Sequence, residues 1–329
     1  MTRWIVVAGL LALAALASLT VGVRDMSLDA YLQALTAYDP QNPAHVTLMA
    51  IRIPRLCAGL VAGAALGVAG VLMQSVTRNP LADPGLLGVN AGAAFALLVG
   101  STLLGRADEG ALAFLAFPGA AMAAAAVFAL GGGLRGDVGP VRLTLAGAAL
   151  NALLLSLVTA IVLIRQDSLD IFRFWVAGSL SQAVARPVAE MAAVAGLGGV
   201  LALLFAPGIE ALSLGGALSR GLGTRPGRVQ AGALVAVTLT TGAAVAVAGP
   251  IAFLGLMVPP LARMIAGRRL RAELVMAAML GATVLLLADT LGRVVMAPSE
   301  VRAGIMTALL GGPVFLVIAR RLRPGAGAA

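Results

Sequence analysis

The sequence predicts an all-α, polytopic membrane protein of about ten transmembrane helices, and three observations carry that prediction. The chain has 329 residues, of which 60% are hydrophobic and 11% charged, with a mean hydropathy of +1.01. A soluble domain carries roughly 25% charged residues, so a chain this poor in charge has too little polar surface to face water. The apolar residues fall in runs of about the twenty residues needed to cross a bilayer core of roughly 30 Å, and arginines and turn residues separate the runs.

The first run, 4–23, follows a basic start and carries Ala-Leu-Ala at 15–17. A cleaved signal peptide has these features, but a run this long with many spans behind it reads as an uncleaved first helix. A polar stretch, 24–55, holds a short amphipathic helix around "SLDAYLQAL". Span two lies between Arg55 and Arg78, span three at 85–104, span four at 111–131 and span five at 143–164. Residues 168–185 read as a short interfacial helix bearing Trp175, and span six runs from Met191 to about Pro207. Residues 229–262 carry no charge. As one helix they would be about 51 Å long, too much for one crossing. "GPIAFLG" at 249–255 breaks them into span seven, 229–248, and span eight, 251–267. Span nine is 273–296 and span ten 303–320, so residues 1–329 form one transmembrane domain with both termini on one side.

Arginine placement orients the bundle. With the N-terminus inside, inner segments hold 14 of the 23 basic residues, including the "RMIAGRRLR" loop and the C-terminal "ARRLR". Cationic residues favour the cytoplasmic side, so both termini are expected there. The net charge of +9 is scattered between apolar runs, which fits membrane topology and not nucleic acid. The basic residues are all Arg. Without a Lys the chain cannot carry an ordinary phosphate-binding P-loop, so any ATP hydrolysis belongs to another subunit.

The composition also excludes most enzyme chemistry. The one cysteine, Cys57, reads as a buried thiol, and the one histidine, His45, as a surface residue of an outer loop. Neither a metal site nor a cofactor site is expected, and there is no H-E-x-x-H or G-x-S-x-G. Gly59, Gly63 and Gly67 recur every four residues on one face of span two, a spacing that lets helix backbones approach closely. Asp289 is the one acid well inside a span and can pair with Arg293 one turn later.

"TRNPLADPGLLGVNAG", residues 77–92, is a turn-rich segment between two spans. Pro80 and Pro84 stop span two, and Asp83 is placed to cap the start of span three. The longer stretch "RIPRLCAGLVAGAALGVAGVLMQSVTRNPLADPGLLGVNAGA", 52–93, resembles the segment that marks FecCD-type permeases of ABC importers. In the same order follow "RLTLAGAAL", "FWVAGSLS", "GPIAFLGLMVPPLAR" and "GIMTALLGGPVFLVI". The resemblance covers nearly the whole chain. It implies a ten-helix permease that meets a second copy or a related permease around a translocation path. ABC ATPase subunits would bind below, and a substrate-binding protein would dock above. The implied cargo is a ferric siderophore, haem or cobalamin, with ferric siderophore preferred.

The resemblance also assigns residues. Asn79 and Leu81 match a cytoplasmic gate, with Gly139, Pro140 and Val141 as its second segment. Arg52, Arg55 and Arg293 match outer arginines that meet carboxylates on the binding protein, a role that charge-assisted pairs suit. Residues 208–228 match the loop that couples to the ATPase, with Leu212, Leu214, Leu218 and Leu222 as its apolar seam and Arg220 beside it. The chain departs from the family pattern at Gly215 and Gly216, Pro260 and Arg302. A secondary transporter with broken helices is the alternative, but it would need ion-coupling groups in the core.

Overall fold

The computed structural model describes residues 2–22, 26–104, 109–132, 140–213, 215–221, 223–267 and 269–321. They form fourteen α-helices: α1 (Thr2–Thr20), α2 (Leu28–Thr36), α3 (Pro43–Val46), α4 (Ile53–Thr77), α5 (Val89–Leu103), α6 (Glu109–Leu130), α7 (Pro140–Ile164), α8 (Gln166–Val176), α9 (Val188–Ser213), α10 (Gly216–Gly221), α11 (Pro226–Ala248), α12 (Leu254–Ala266), α13 (Leu270–Val295) and α14 (Ala303–Arg321). Among the described residues, seven helical stretches are long and apolar enough to cross a bilayer, and three shorter apolar helices, within α5, α12 and α14, fill the remaining predicted positions.

Helix α4 is the centre of the bundle and packs against α13, α11, α12 and α9. The glycine face explains its closest approach. A methyl group added at Gly63 would lie 2.6 Å from the Cα of Ala282, and one at Gly59 would lie 2.5 Å from the Leu286 side chain. Backbone meets backbone where the sequence omits Cβ atoms. In lipid, where no hydrophobic force drives helices together, such close contact supplies the attraction. A second pair uses the same device: Gly92 of α5 faces Gly119 and Ala123 of α6.

Prolines inside helices leave carbonyls without their usual donor, and distant side chains meet them. Pro207 cannot donate to the carbonyl of Leu203, which accepts instead from Arg271 Nε at 3.2 Å. Pro260 cannot donate to Leu256, whose carbonyl accepts from Gln74 Nε2 at 3.3 Å. The chain is π-helical over Thr47–Arg52, immediately before Pro54 near the start of α4. This lets Pro43–Thr77 run as one apolar helical stretch of 35 residues.

The break after α11 falls where the sequence places it. Gly249 has φ 71°, Phe253 has φ 65°, and α12 begins at Leu254. Irregular backbone is tolerated in a membrane protein when other groups satisfy it. Here the Ser179 N–H donates to Ala248 O at 2.8 Å, while the neighbouring Gly178 carbonyl accepts from Gly304 N–H at 3.1 Å.

Several boundaries differ from expectation. Span six does not stop at Pro207 but continues as α9 to Ser213, because Arg271 supports the proline-freed carbonyl. Span three starts as a 3-10 turn at Pro84–Leu87, and α5 follows the left-handed Gly88. The interfacial helix ends at Val176, where Gly178 at φ 57° turns the chain, and Trp175 is buried in the core. Cys57 is exposed on the isolated chain, because the inward face of α4 belongs to its glycines. His45 is buried at 3% exposure, with Nδ1 accepting from the Asp39 N–H at 3.1 Å.

Candidate gate and coupling site

At the end of α4, Arg78 adopts a left-handed conformation, φ 51° and ψ 32°. Asn79 follows, and its Oδ1 accepts from the Leu81 N–H at 2.9 Å, while its carbonyl accepts from the Ala82 N–H at 3.1 Å. This tight Asx turn leaves Asn79 exposed and Leu81 37% exposed. Asp83 then accepts from the Gly85 N–H at 2.8 Å, capping the 3-10 turn and not α5. Burial pushes the Asp83 carboxyl above its usual range, against the opposing effect of that hydrogen bond. Gly255 backs the turn: a methyl there would lie 2.7 Å from Pro84 Cδ. The turn is therefore rigid behind and open in front.

Of the second gating segment, Gly139 lies outside the described residues, Pro140 opens α7, and Val141 is 71% exposed. In the coupling segment, Leu212 is buried in the last turn of α9 and not in a loop seam. Leu214 and Leu222 lie outside the described residues. Leu218 is 57% exposed on α10, and Arg220 is exposed beside it. Ser219 is buried, and its carbonyl accepts from both the N–H and the Oγ1 of Thr224, fixing the turn into α11.

The gate turn and the coupling segment share a cavity of about 410 Å³, lined by Arg78 and Pro80 on one side and by Ile209, Glu210 and Ser213 on the other. Arg78 Nη2 crosses to donate to the Leu212 carbonyl. Glu210 Oε1 accepts from the Leu270 N–H at 2.5 Å, which ties the end of α9 to the start of α13. Arg263 Nη2 pairs with Glu273 at 2.8 Å on the same side.

Arg52, Arg55 and Arg293, the arginines expected to meet the binding protein, are not exposed. Arg55 makes a bidentate pair with Asp289, at 2.8 and 2.9 Å, and a third bond to Glu300 at 2.8 Å. Arg52 Nη1 donates to the Leu19 and Thr20 carbonyls, at 2.5 and 3.0 Å, and to the Tyr31 hydroxyl. Arg293 Nη1 donates to Ser18 O and Val21 O at 3.1 and 2.8 Å. Two guanidinium groups thus serve the carbonyls at the C-terminal end of α1, where cations are favoured. All three arginines are buried and bonded within the chain and are not displayed at its surface as expected. The foreseen Asp289–Arg293 pair is present at 3.5 Å, but Arg55 is the closer partner. Sequence reasoning missed Arg78, Gln74 and Glu300. Only Arg78 left a signal, a long basic residue at a helix end where glycine is the usual choice.

A bundle of apolar helices, with a broken crossing and a rigid turn that shares a cavity with the end of α9, is the architecture of a polytopic membrane protein with the parts of a permease. The FecCD transport family model matches residues 10–321, and the chain belongs to that family: it is the permease subunit of an ATP-binding-cassette importer. It is 42% identical over 327 residues to the ferric enterobactin transport system permease protein of Escherichia coli, covering 98% of this chain and 97% of that one. It is 40% identical to the hemin transport system permease protein of Yersinia pestis over 280 residues, 83% of each chain. Among solved structures, a metal-chelate type ABC transporter in an inward-facing conformation superposes with a TM-score of 0.81 at 26% identity, covering 98% of this chain and 99% of that one.

Proposed function

We propose that this permease carries ferric siderophores across the cell's inner membrane, with both termini in the cytoplasm. The observation that carries the substrate reading is the near full-length likeness to the ferric enterobactin permease. A probable siderophore permease of Bacillus subtilis, 38% identical over 323 residues, supports the same class. The gate is the Asn79–Leu81 turn, opposed across the path by the segment Gly139, Pro140 and Val141. The ATPase docks on the segment running from Leu212 through α10 to Leu222, with Leu218 and Arg220 as its exposed contacts. The substrate-binding protein docks on the outer face. Arg52, Arg55 and Arg293 shape that face from within, and Glu300 is the member of their cluster nearest to solvent. A second copy or a related permease completes the path.

Uptake in cells tests the substrate. Removing the chain from its host should abolish uptake of at least one ferric siderophore, and complementation should restore it. Loss of haem or cobalamin uptake, with all ferric siderophores still taken up, would assign a different cargo.

A further inference from the structure

We propose that Arg78 is the positioning residue that transmits movement of the coupling segment to the gate turn. The inference rests on the gate and coupling assignments above and goes one step beyond them. Arg78 adjoins the gate turn in sequence and reaches the coupling segment in space. Its backbone is the first residue of the gate turn, directly before Asn79, and its guanidinium reaches Leu212 at the end of α9, four residues before α10 begins. Both elements line one cavity, and this hydrogen bond links them across it.

The backbone supplies a second argument. A left-handed residue after a helix is ordinarily glycine, because a Cβ disfavours that conformation. At φ 51°, glycine would suit position 78 better than arginine. The chain places there a long cation able to reach across the cavity to a carbonyl. That carbonyl is also held by the Gly215 N–H at 3.1 Å, in the turn that leads into α10. It belongs to the negative end of α9, where a guanidinium is well matched. A displacement of α10 therefore pulls on Leu212, then on Arg78, and so on Asn79 and Leu81. Pro84 packs closely on Gly255 at the far end of the turn, so the displacement falls on Asn79 and Leu81 at the near end.

Arg78→Gly separates this role from simple helix capping, since glycine suits the backbone and removes the link. The test uses the complete importer in vesicles, with ATP hydrolysis and ferric siderophore uptake measured on the same sample. The expected result is an assembled complex that hydrolyses ATP at near the normal rate while uptake falls about tenfold or more, the factor one charge-assisted hydrogen bond carries. Arg78→Lys, which keeps the cation, should recover part of the uptake. Spin labels at Leu81 and Leu218, in a Cys57→Ser background, should both shift on nucleotide binding in the parent. In Arg78→Gly only the Leu218 label should shift. Normal uptake by Arg78→Gly, or a parallel loss of hydrolysis and uptake in both Arg78→Gly and Arg78→Lys, overturns the inference. Leu218→Asp serves as the separate control. If it leaves hydrolysis and uptake coupled, the coupling assignment itself is at fault.

Discussion

Arg55 shows what a buried ion does in this protein. Its guanidinium is shared between Asp289, almost fully buried, and Glu300, whose side chain is 34% exposed. Removing one partner of a buried pair leaves a charge without compensation, which costs about 3–5 kcal/mol. A pair open to water is worth about 1 kcal/mol or less. Asp289→Ala should therefore lower the thermal unfolding midpoint of the purified protein much more than Glu300→Ala. Equal effects would mean that the cluster is wetter than its burial indicates. These arginines were conspicuous in the sequence, but their burial was not. It depends on partners from separate segments: the end of α1 and Tyr31 for Arg52, which closes the π-helical turn, and Asp289 of α13 for Arg55 of α4. His45 and Cys57 were misplaced for the same kind of reason, since a single residue's exposure is decided by elements far away in sequence.

Helices were far more legible. Hydropathy and arginine spacing located the ten apolar segments, and the glycine repeat correctly marked a packing face on α4. The misread ends depend on distant partners: Pro207 stops a helix by local rules, but Arg271 meets the freed carbonyl of Leu203, 68 residues away from it. The packing face makes a sharp prediction. Gly63→Val pushes carbon into the Ala282 backbone, which cannot rotate aside, and overpacking of this kind costs about 1–3 kcal/mol. Gly196→Ala on α9, where nothing lies within 4 Å of the added methyl, should be neutral or stabilising by up to about 1 kcal/mol. Paired thermal-shift measurements on the two variants check both signs. On α10, Leu218→Asp replaces an exposed apolar contact with a charge. The fold should persist while the variant loses its ATPase partner or hydrolyses ATP without uptake, as read by co-purification and transport assays. If cysteines at Ser213–Gly223 never cross-link to the ATPase while those in the segment Arg263–Arg271 do, the coupling element is that other segment.

At the scale of the whole molecule, the chain has the path but not the motor. It carries no Lys for a P-loop. Its broken crossing and gate turn are features that a secondary transporter also uses, but Asp289, the acid well inside a span, is held by two arginines and not left to bind an ion. Energy must then come from another subunit. The most direct test reconstitutes the purified permease in vesicles with and without its ATPase, adds the loaded binding protein, and follows uptake of radioiron-labelled ferric siderophore. Uptake should require both ATPase and ATP, should be indifferent to proton and sodium gradients, and should be absent with the permease alone. Uptake by the permease alone, driven by an ion gradient and insensitive to ATP, would contradict the account.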